Sequence, residues 1–128
     1  MTAIVVTAAV IERDDRFLVT RRQAGVHLEG HWEFPGGKCQ AGEALAACMA
    51  RELREELNVA AEVGAEVLST THDYPDRRVE IHFMRCEISE EPAPQQGQDM
   101  RWVTRSELGS LQFPAADSPL IEMLGRPR

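Results

Sequence analysis

From Glu43 to Leu57 the apolar residues Ala46, Met49, Ala50, Leu53 and Leu57 fall at i, i+3, i+4, i+7 and i+11. That spacing is one stripe of an α-helix. The residues between them are mostly Ala, Arg and Glu, all good helix formers. Asn58 follows where a helix often ends in a left-handed residue, a conformation Asn tolerates second best to Gly. An amphipathic helix must bury its stripe against another layer, so the fold depends on what the flanking segments supply.

They supply strands. Ile4 to Ile11 is rich in Val, Ile and Ala, Glu12 to Arg16 is a polar turn, and Phe17 to Arg22 resumes an extended pattern; together they read as a hairpin. Gln23 to Gly42 holds five glycines and Pro35 and reads mostly as loop. Val63 to Asp73 and Arg78 to Glu87 bracket the turn Tyr74-Pro75-Asp76-Arg77, and Val79, Ile81 and Phe83 alternate with Arg78, Glu80 and His82, the period of a half-buried strand. Ser89 to Gln98 is a solvated connection and Met100 to Val103 a short strand. Thr104-Arg105-Ser106-Glu107 matches a capping box. Ser118 before Pro119 predicts the N-cap of a last helix running towards Gly125. The expected fold is α/β: a single domain over residues 1–128, an α/β/α sandwich with a central mixed β-sheet.

A length of 128 residues is enough to bury a core without staples. Twenty-one acidic against 14 basic residues give a net charge of -7, which argues against a duplex-DNA or membrane-surface binder. It leaves room for a small anionic substrate, because a bound divalent cation reverses the local sign of a site. Cys39, Cys48 and Cys86 are widely spaced and form no C-x-x-C pair, predicting a reduced, cytoplasmic protein. The apolar start, Met1 to Ile11, lacks the basic region of a signal peptide. No apolar run approaches a membrane span.

Chemistry concentrates on the helix. Glu52, Glu55 and Glu56 sit at i, i+3 and i+4 and share a face. Three crowded carboxylates repel unless cations compensate, and hard divalent metals take oxygen ligands. A Glu-rich helix face is more often plain solvated surface, with Arg51 and Arg54 as ordinary ion-pair partners. The flanks change that balance. Gly37-x5-Glu43-x7-Arg51-Glu52-Leu53-x-Glu55-Glu56-x-Asn58-Val59 resembles the box of the Nudix hydrolase family, G-x5-E-x7-R-E-U-x-E-E-x-G-U, with U a bulky aliphatic. Six fixed identities, each at a background of about 7%, coincide by chance at roughly one position in ten million. Asn58 in place of the usual Gly keeps the turn at small cost.

The resemblance implies a Mg²⁺-dependent pyrophosphohydrolase, with Mn²⁺ as a substitute. It assigns Glu52, Glu55 and Glu56 as metal ligands, helped by the backbone of Gly36 and Gly37, and Arg51 as the residue orienting Glu52. Glu43 is either a supporting carboxylate or an acid favouring the helix N-terminus. The similarity extends over most of the chain to the MutT-like branch. It runs through Thr20-Arg21-Arg22, Trp32-Glu33-Phe34-Pro35-Gly36-Gly37-Lys38, Tyr74-Pro75-Asp76-Arg77 and Phe113-Pro114-x-Ala116-Asp117-x-Pro119. By that resemblance Arg22 contacts phosphates or base, Phe34 walls the base pocket, Lys38 contacts phosphate and Asp117 reads the base edge. The plain alternatives are an exposed Arg22, a core Phe34, a surface Lys38 and a capping role for Asp117. Trp32 stacks on a base or packs. His27 and His31 read as solvated loop residues within reach of phosphates.

Two positions depart from that branch. Asp117 stands where Asn is found in the MutT prototype. An ionised Asp only accepts hydrogen bonds, favouring a donor such as the cytosine amino group, or it must be protonated to read 8-oxoguanine. Gln96, six residues before Trp102, replaces a Glu that joins the metal site or activates water. Glu55 or Glu56 then does both jobs, or Glu90, Glu91 or Asp99 reaches in, or turnover is slow. The expected substrates are 8-oxo-dGTP or cytosine nucleotides (CTP, dCTP, 5-modified dCTP), cleaved to a monophosphate and pyrophosphate, with the enzyme a monomer or homodimer. Alternatives are an ADP-ribose or nucleotide-sugar pyrophosphatase, and a catalytically weak nucleotide-binding module. RNA 5′-end processing is disfavoured by the charge.

Overall fold

A computed structural model describes residues 3–26 and 28–126. In chain order the strands are β1 (Ala3–Val10), β2 (Glu12–Arg13), β3 (Arg16–Arg21), β4 (Trp32–Glu33) and β5 (Gly36–Lys38). Helix α1 (Leu45–Leu57) follows, then β6 (Ala61–Tyr74), β7 (Arg77–Ile88) and β8 (Met100–Thr104). Helix α2 (Arg105–Leu108), a 3-10 turn (Ala115–Asp117) and α3 (Ser118–Leu124) complete the described chain.

One sheet runs β5-β1-β7-β6, with β1 parallel to β7 and the other pairs antiparallel. The second centres on β3, where Phe17 pairs with both Glu12 and Val103, and Thr20 with both Glu33 and Met100. Strand β8 therefore lies on one side of β3, with the short β2 and β4 on the other. Side chains alternate between two cores. Ala8, Val10, Phe17, Val19 and Phe83 pack with Leu108, Leu120 and Leu124 from α2 and α3. Ala9, Ile11, Leu18 and Met84 pack under Met49, Leu53 and Leu57 of α1. This is the expected α/β/α layering around a mixed sheet.

The first two segments do not form the expected hairpin. Strand β1 leaves for the other sheet, and the chain crosses at Ile11, whose carbonyl accepts from Leu18 N at 3.1 Å. The hairpin that does form is β2–β3, turned by Asp14 and Asp15 at φ 52° and 61°, the left-handed pair that a two-residue turn demands. Strand β7 is likewise more buried than its alternation implied. Phe83 enters one core while Met84 and Cys86 enter the other.

Helix α1 starts at Leu45 rather than Glu43, with Ala44 as an extended N-cap that offers no side-chain hydrogen bond. Its buried stripe is Cys48, Met49, Leu53 and Leu57, whereas Ala46 is exposed and Ala50 half-buried. Each fully buried Met or Leu contributes roughly 1.5–3 kcal/mol, so packing of its rear face fixes the helix and leaves the carboxylate face free. Asn58 closes α1 in the left-handed conformation (φ 56°, ψ 41°), its N–H donating to Arg54 O at 3.1 Å. The 89–98 connection then returns along the helix end: Ala93 N donates to Leu57 O and Gln95 N to Glu56 O, both at 2.9 Å.

Thr104 and Glu107 form the expected capping box at α2. Ser118 is not an N-cap. The 3-10 turn runs straight into α3, so Ser118 is already helical (φ -54°, ψ -43°). Asp117 holds the cap position without a side-chain cap bond, which leaves its carboxyl available elsewhere. Cys39 and Cys48 form a disulfide, and Cys86 is a buried free thiol, against the expectation that spacing without a C-x-x-C pair meant separate thiols. Among the described residues no helix is long and apolar enough to cross a membrane.

Candidate active site

Arg51 is the hub of the carboxylate face. Its guanidinium grips Glu43 through Nε and Nη2 at 2.7 and 2.9 Å. Nη1 donates to Glu52 at 3.0 Å and Glu55 at 3.1 Å, and Nη2 also reaches the Lys38 carbonyl at 3.0 Å. A planar fork of donors suits this multiple grip, which a lysine could not reproduce. The hydrogen bonds from Arg51 and from Gln40 N hold the Glu43 carboxyl down at about 2, and Arg51 is correspondingly pushed above its ordinary value, chiefly by Glu43. Glu43 therefore serves Arg51 rather than the helix dipole.

Glu56 is treated differently. Its carboxylate accepts from Gly36 N at 3.2 Å and from the Thr20 hydroxyl at 3.4 Å. Burial, followed by the charge of Glu33, pushes it up to about 7. Burial also raises Glu52, against the pull of Arg51. Glu55 stays largely in water. A Cβ added to Gly37 would sit 2.3 Å from a Glu52 carboxylate oxygen, and one on Gly36 would meet the Thr7 carbonyl at 1.9 Å. Both glycines are needed, the first for the carboxylate and the second for the β1–β5 pairing.

A cleft of about 190 Å³ opens beside this face. Apolar walls come from Val6, Ala8, Phe34, Val79, Ile81 and Pro114, and polar groups from Arg22, Glu33, Lys38, Tyr74, Arg77 and Asp117. Phe34 belongs both to the wall and to the core, stacked on Phe113 with centroids 5.4 Å apart and edge-on to Phe83 at 6.1 Å. Asp117 is 5% exposed, and burial plus the nearby Glu33 pushes it up to about 7. Arg22 pairs with Glu33 at 2.8 Å. Lys38 is exposed at the rim.

The fold thus brings Arg22, Phe34, Gly36, Gly37, Lys38 and Asp117 to one cleft, with Glu52 against Gly37 and Glu56 bonded to Gly36. Trp32 is not a stacking platform here: it is buried, with Arg21 and Arg101 over its ring at 5.7 and 4.8 Å. His31 is tied to Leu28 O, and His27 lies outside the described residues. Gln96 lines a second hollow shared with Arg22, Glu33 and Glu56. None of the three acids that were candidates to replace it lines that hollow. Glu90 accepts from Ala60 N, Glu91 pairs with Arg13 and Asp99 with Arg21. The carboxylates that do stand there are Glu56 and Glu33, the latter also raised by burial. The sequence signal of Glu33 was faint: a lone polar residue between buried Trp32 and Phe34. Cys39, Glu43 and Cys48 also bring donor atoms within 4.8 Å of one another, but the sulfurs are bonded together and Glu43 is held by Arg51.

The comparisons with known proteins fit this geometry. The chain is 30% identical to an 8-oxo-dGTP diphosphatase of Escherichia coli over 98% of its length and 99% of the relative's. It is 36% identical to the CTP pyrophosphohydrolase of the same bacterium, covering 95% of this chain and 91% of that one. Among solved structures, the E. coli ORF135 protein superposes with a TM-score of 0.85 at 34% identity, covering 95% of this chain and 88% of the other. A MutT structure described for Aliivibrio salmonicida and Vibrio cholerae superposes at 0.77 with 26% identity, covering 97% and 98%. Residues 6–123 match the NUDIX domain family. With the Arg51-centred carboxylate face, the two glycines beneath it and relatives matched over nearly their whole length, the chain belongs to the Nudix hydrolase family.

Proposed function

We propose that this chain hydrolyses a (deoxy)nucleoside triphosphate to the monophosphate and pyrophosphate in a Mg²⁺-dependent reaction, with Mn²⁺ as a substitute. Its role in this reading is to clear oxidised or non-standard nucleotides. The observation that carries the proposal is the meeting of two features at Gly36 and Gly37: a carboxylate face organised by Arg51, and a base-sized cleft lined by the buried Asp117.

The residues present fit a hard divalent cation. Every available donor on the face is oxygen, from Glu52, Glu55, Glu56 and the Gly36–Gly37 backbone, and the missing Cβ of Gly37 leaves the space that Glu52 fills. A cation held there would polarise phosphate oxygens and lower the pKa of an attacking water. The chain's own groups do the rest. Arg51 fixes the rotamers of Glu52 and Glu55. Glu56, which accepts from Gly36 N and the Thr20 hydroxyl, is the carboxylate of the face available to take a proton from that water as general base. Arg22 and Lys38 line the route of the phosphates, and Phe34 forms the wall for the base.

Asp117 at about 7 populates both protonation states near neutrality. Neutral, it donates and accepts, which suits 8-oxoguanine; ionised, it only accepts, which suits the cytosine amino group. Both 8-oxo-dGTP and CTP-type nucleotides are therefore in range, in line with the names of the two E. coli relatives. The reading includes one catalytic domain, a cytoplasmic location, a monomer or homodimer, and free nucleotide rather than polymer or membrane as partner, consistent with a net charge of -7. A panel of canonical and modified triphosphates plus ADP-ribose, with Mg²⁺ or Mn²⁺, tests it. Pyrophosphate release from 8-oxo-dGTP or a cytosine triphosphate is expected, and turnover of ADP-ribose alone would overturn the assignment.

A further inference from the structure

The disulfide sits where the site is assembled. Cys39 directly follows Gly36-Gly37-Lys38, and Cys48 lies fully buried at the start of α1, with 5.3 Å between their Cα atoms. The segment they close carries Glu43, the carboxylate gripped by Arg51. Arg51 also holds the Lys38 carbonyl, one residue from the bridge. Two clasps thus span the same gap between β5 and α1, one covalent and one ionic. Helix α1 has neither a side-chain N-cap nor an acid in its first turn, so the usual devices that pin a helix start are missing where the disulfide stands.

We infer that Cys39–Cys48 is a reversible redox clasp that sets how firmly the Glu43–Arg51–Glu52/Glu55 assembly is held, strengthening cation binding when oxidised and loosening it when reduced. Cys39 is half-buried and Cys48 is not accessible, which orders the chemistry with glutathione disulfide as oxidant. The Cys39 thiolate attacks one sulfur of that disulfide, forming a mixed disulfide and releasing one glutathione thiolate. Cys48, whose sulfur lies 3.3 Å from the Thr7 hydroxyl, then attacks the Cys39 sulfur as a thiolate and expels the second. Two protein thiols become one disulfide, two electrons pass to the oxidant, and the protons leave with the glutathione or the solvent. Cys86 is a free thiol buried in the second core, so it takes no part. The activity and Mn²⁺ arms of the test rest on the proposed function, and the thiol count and Tm do not.

The full chain is equilibrated in glutathione buffers from reducing to oxidising. Alkylatable thiols are counted after denaturation, and Tm and Mn²⁺ affinity are measured on the same samples. The count is expected to fall from three to one, reflecting the three cysteines of the sequence. Closing so short a loop is expected to raise Tm by roughly 5–10 °C, with Mn²⁺ binding several-fold tighter and kcat at limiting Mg²⁺ higher in the oxidised form. Cys39→Ser is expected to show no redox response, and Cys86→Ser to respond as the wild type does. Three thiols persisting in the oxidising buffer, a glutathione adduct on Cys39 alone, or a disulfide that leaves Tm and Mn²⁺ affinity unchanged would each overturn the clasp. If no triphosphate is hydrolysed in either state, the thiol count and Tm still decide it.

Discussion

Replacing Asp117 with Asn should change how stability depends on pH, in a direction fixed by burial. The wild-type carboxyl is raised from 3.8 to about 7, first by desolvation and then by Glu33. A raised carboxyl contributes stability that is fully present below its unfolded value and is lost as pH rises through its folded value. At 1.36 kcal/mol per tenfold, the whole effect is about 4 kcal/mol, an upper limit because Asp117 faces a cleft that water enters. About 3 kcal/mol of it should disappear between about pH 5 and about pH 8.5. Asn cannot ionise, so this loss vanishes in the variant, while Glu33, Glu52 and Glu56 titrate in both proteins and largely cancel in the difference. For a chain of this size that corresponds to a relative gain for Asp117→Asn of roughly 10 °C in Tm across the window. The assay is a pair of thermal melts against pH without divalent metal. Parallel Tm curves for the two proteins would refute the reasoning, because they would place an ordinary, hydrated carboxylate at residue 117. The same titration predicts a functional trend: in the wild type the kcat/KM ratio of 8-oxo-dGTP to CTP should fall as pH rises through neutrality, and in Asp117→Asn it should stay flat.

The two glycines separate fold from chemistry. Gly36→Ala drives a methyl into the Thr7 backbone and should lower Tm sharply, whereas Gly37→Ala meets only the flexible end of Glu52 and should remain folded while losing on the order of 100-fold in kcat; thermal melts alongside kinetics distinguish them. Arg51→Lys loses the bidentate grip on Glu43 and should weaken Mn²⁺ binding and kcat together; unchanged metal affinity would show that Arg51 does not organise the ligands. Gln96→Glu adds a carboxylate to the hollow shared with Glu33 and Glu56. It should move the acid limb of the pH–rate profile upward with only a small change in kcat, while a large rise would show that the wild-type site lacks a base.

What the sequence made legible follows from the range of the interactions. Helix α1 and its cap at Asn58 are local, so periodicity and one residue type found them. The carboxylate face was readable because its members share one helix. The β1–β3 hairpin was misread because a continuous apolar run looks the same in a hairpin and in a central strand with parallel pairing. Ala46 was placed on the buried stripe instead of Cys48 because periodicity gives the angle of a side chain and not what covers it: Ala46 lies in the uncovered first turn of α1, while Cys48 is buried beside its bond to Cys39. Glu33 acts on Glu56 and Asp117, partners far away along the chain, and no spacing rule reaches that far. The Cys39–Cys48 bridge crosses from a loop into a helix, and only the distance between the two Cα atoms reveals it.

The carboxylates around the cleft divide into two populations, and the division itself is an argument about ligands. Glu43 is held at about 2 by the Arg51 guanidinium and Gln40 N, whereas Glu33, Glu52, Glu56 and Asp117 are all raised, burial being the first cause in each. A fold selected for stability alone would gain by replacing several of these acids with neutral groups, since each ionised form is disfavoured where it stands. Arg51 offsets part of this at Glu52 while also holding Glu43 and Glu55, and Arg22 is engaged with Glu33. The compensation that burial leaves unmet at Glu56, and that Arg51 meets only in part at Glu52, is positive charge. A hard cation supplies it, and by linkage its binding should depress the raised carboxyls and stabilise the chain more at neutral than at acid pH. Thermal melts with saturating Mn²⁺ check this: the Tm gain should shrink as pH falls towards the ordinary carboxylate range. A gain independent of pH would mean that the cation is bound elsewhere than at these acids.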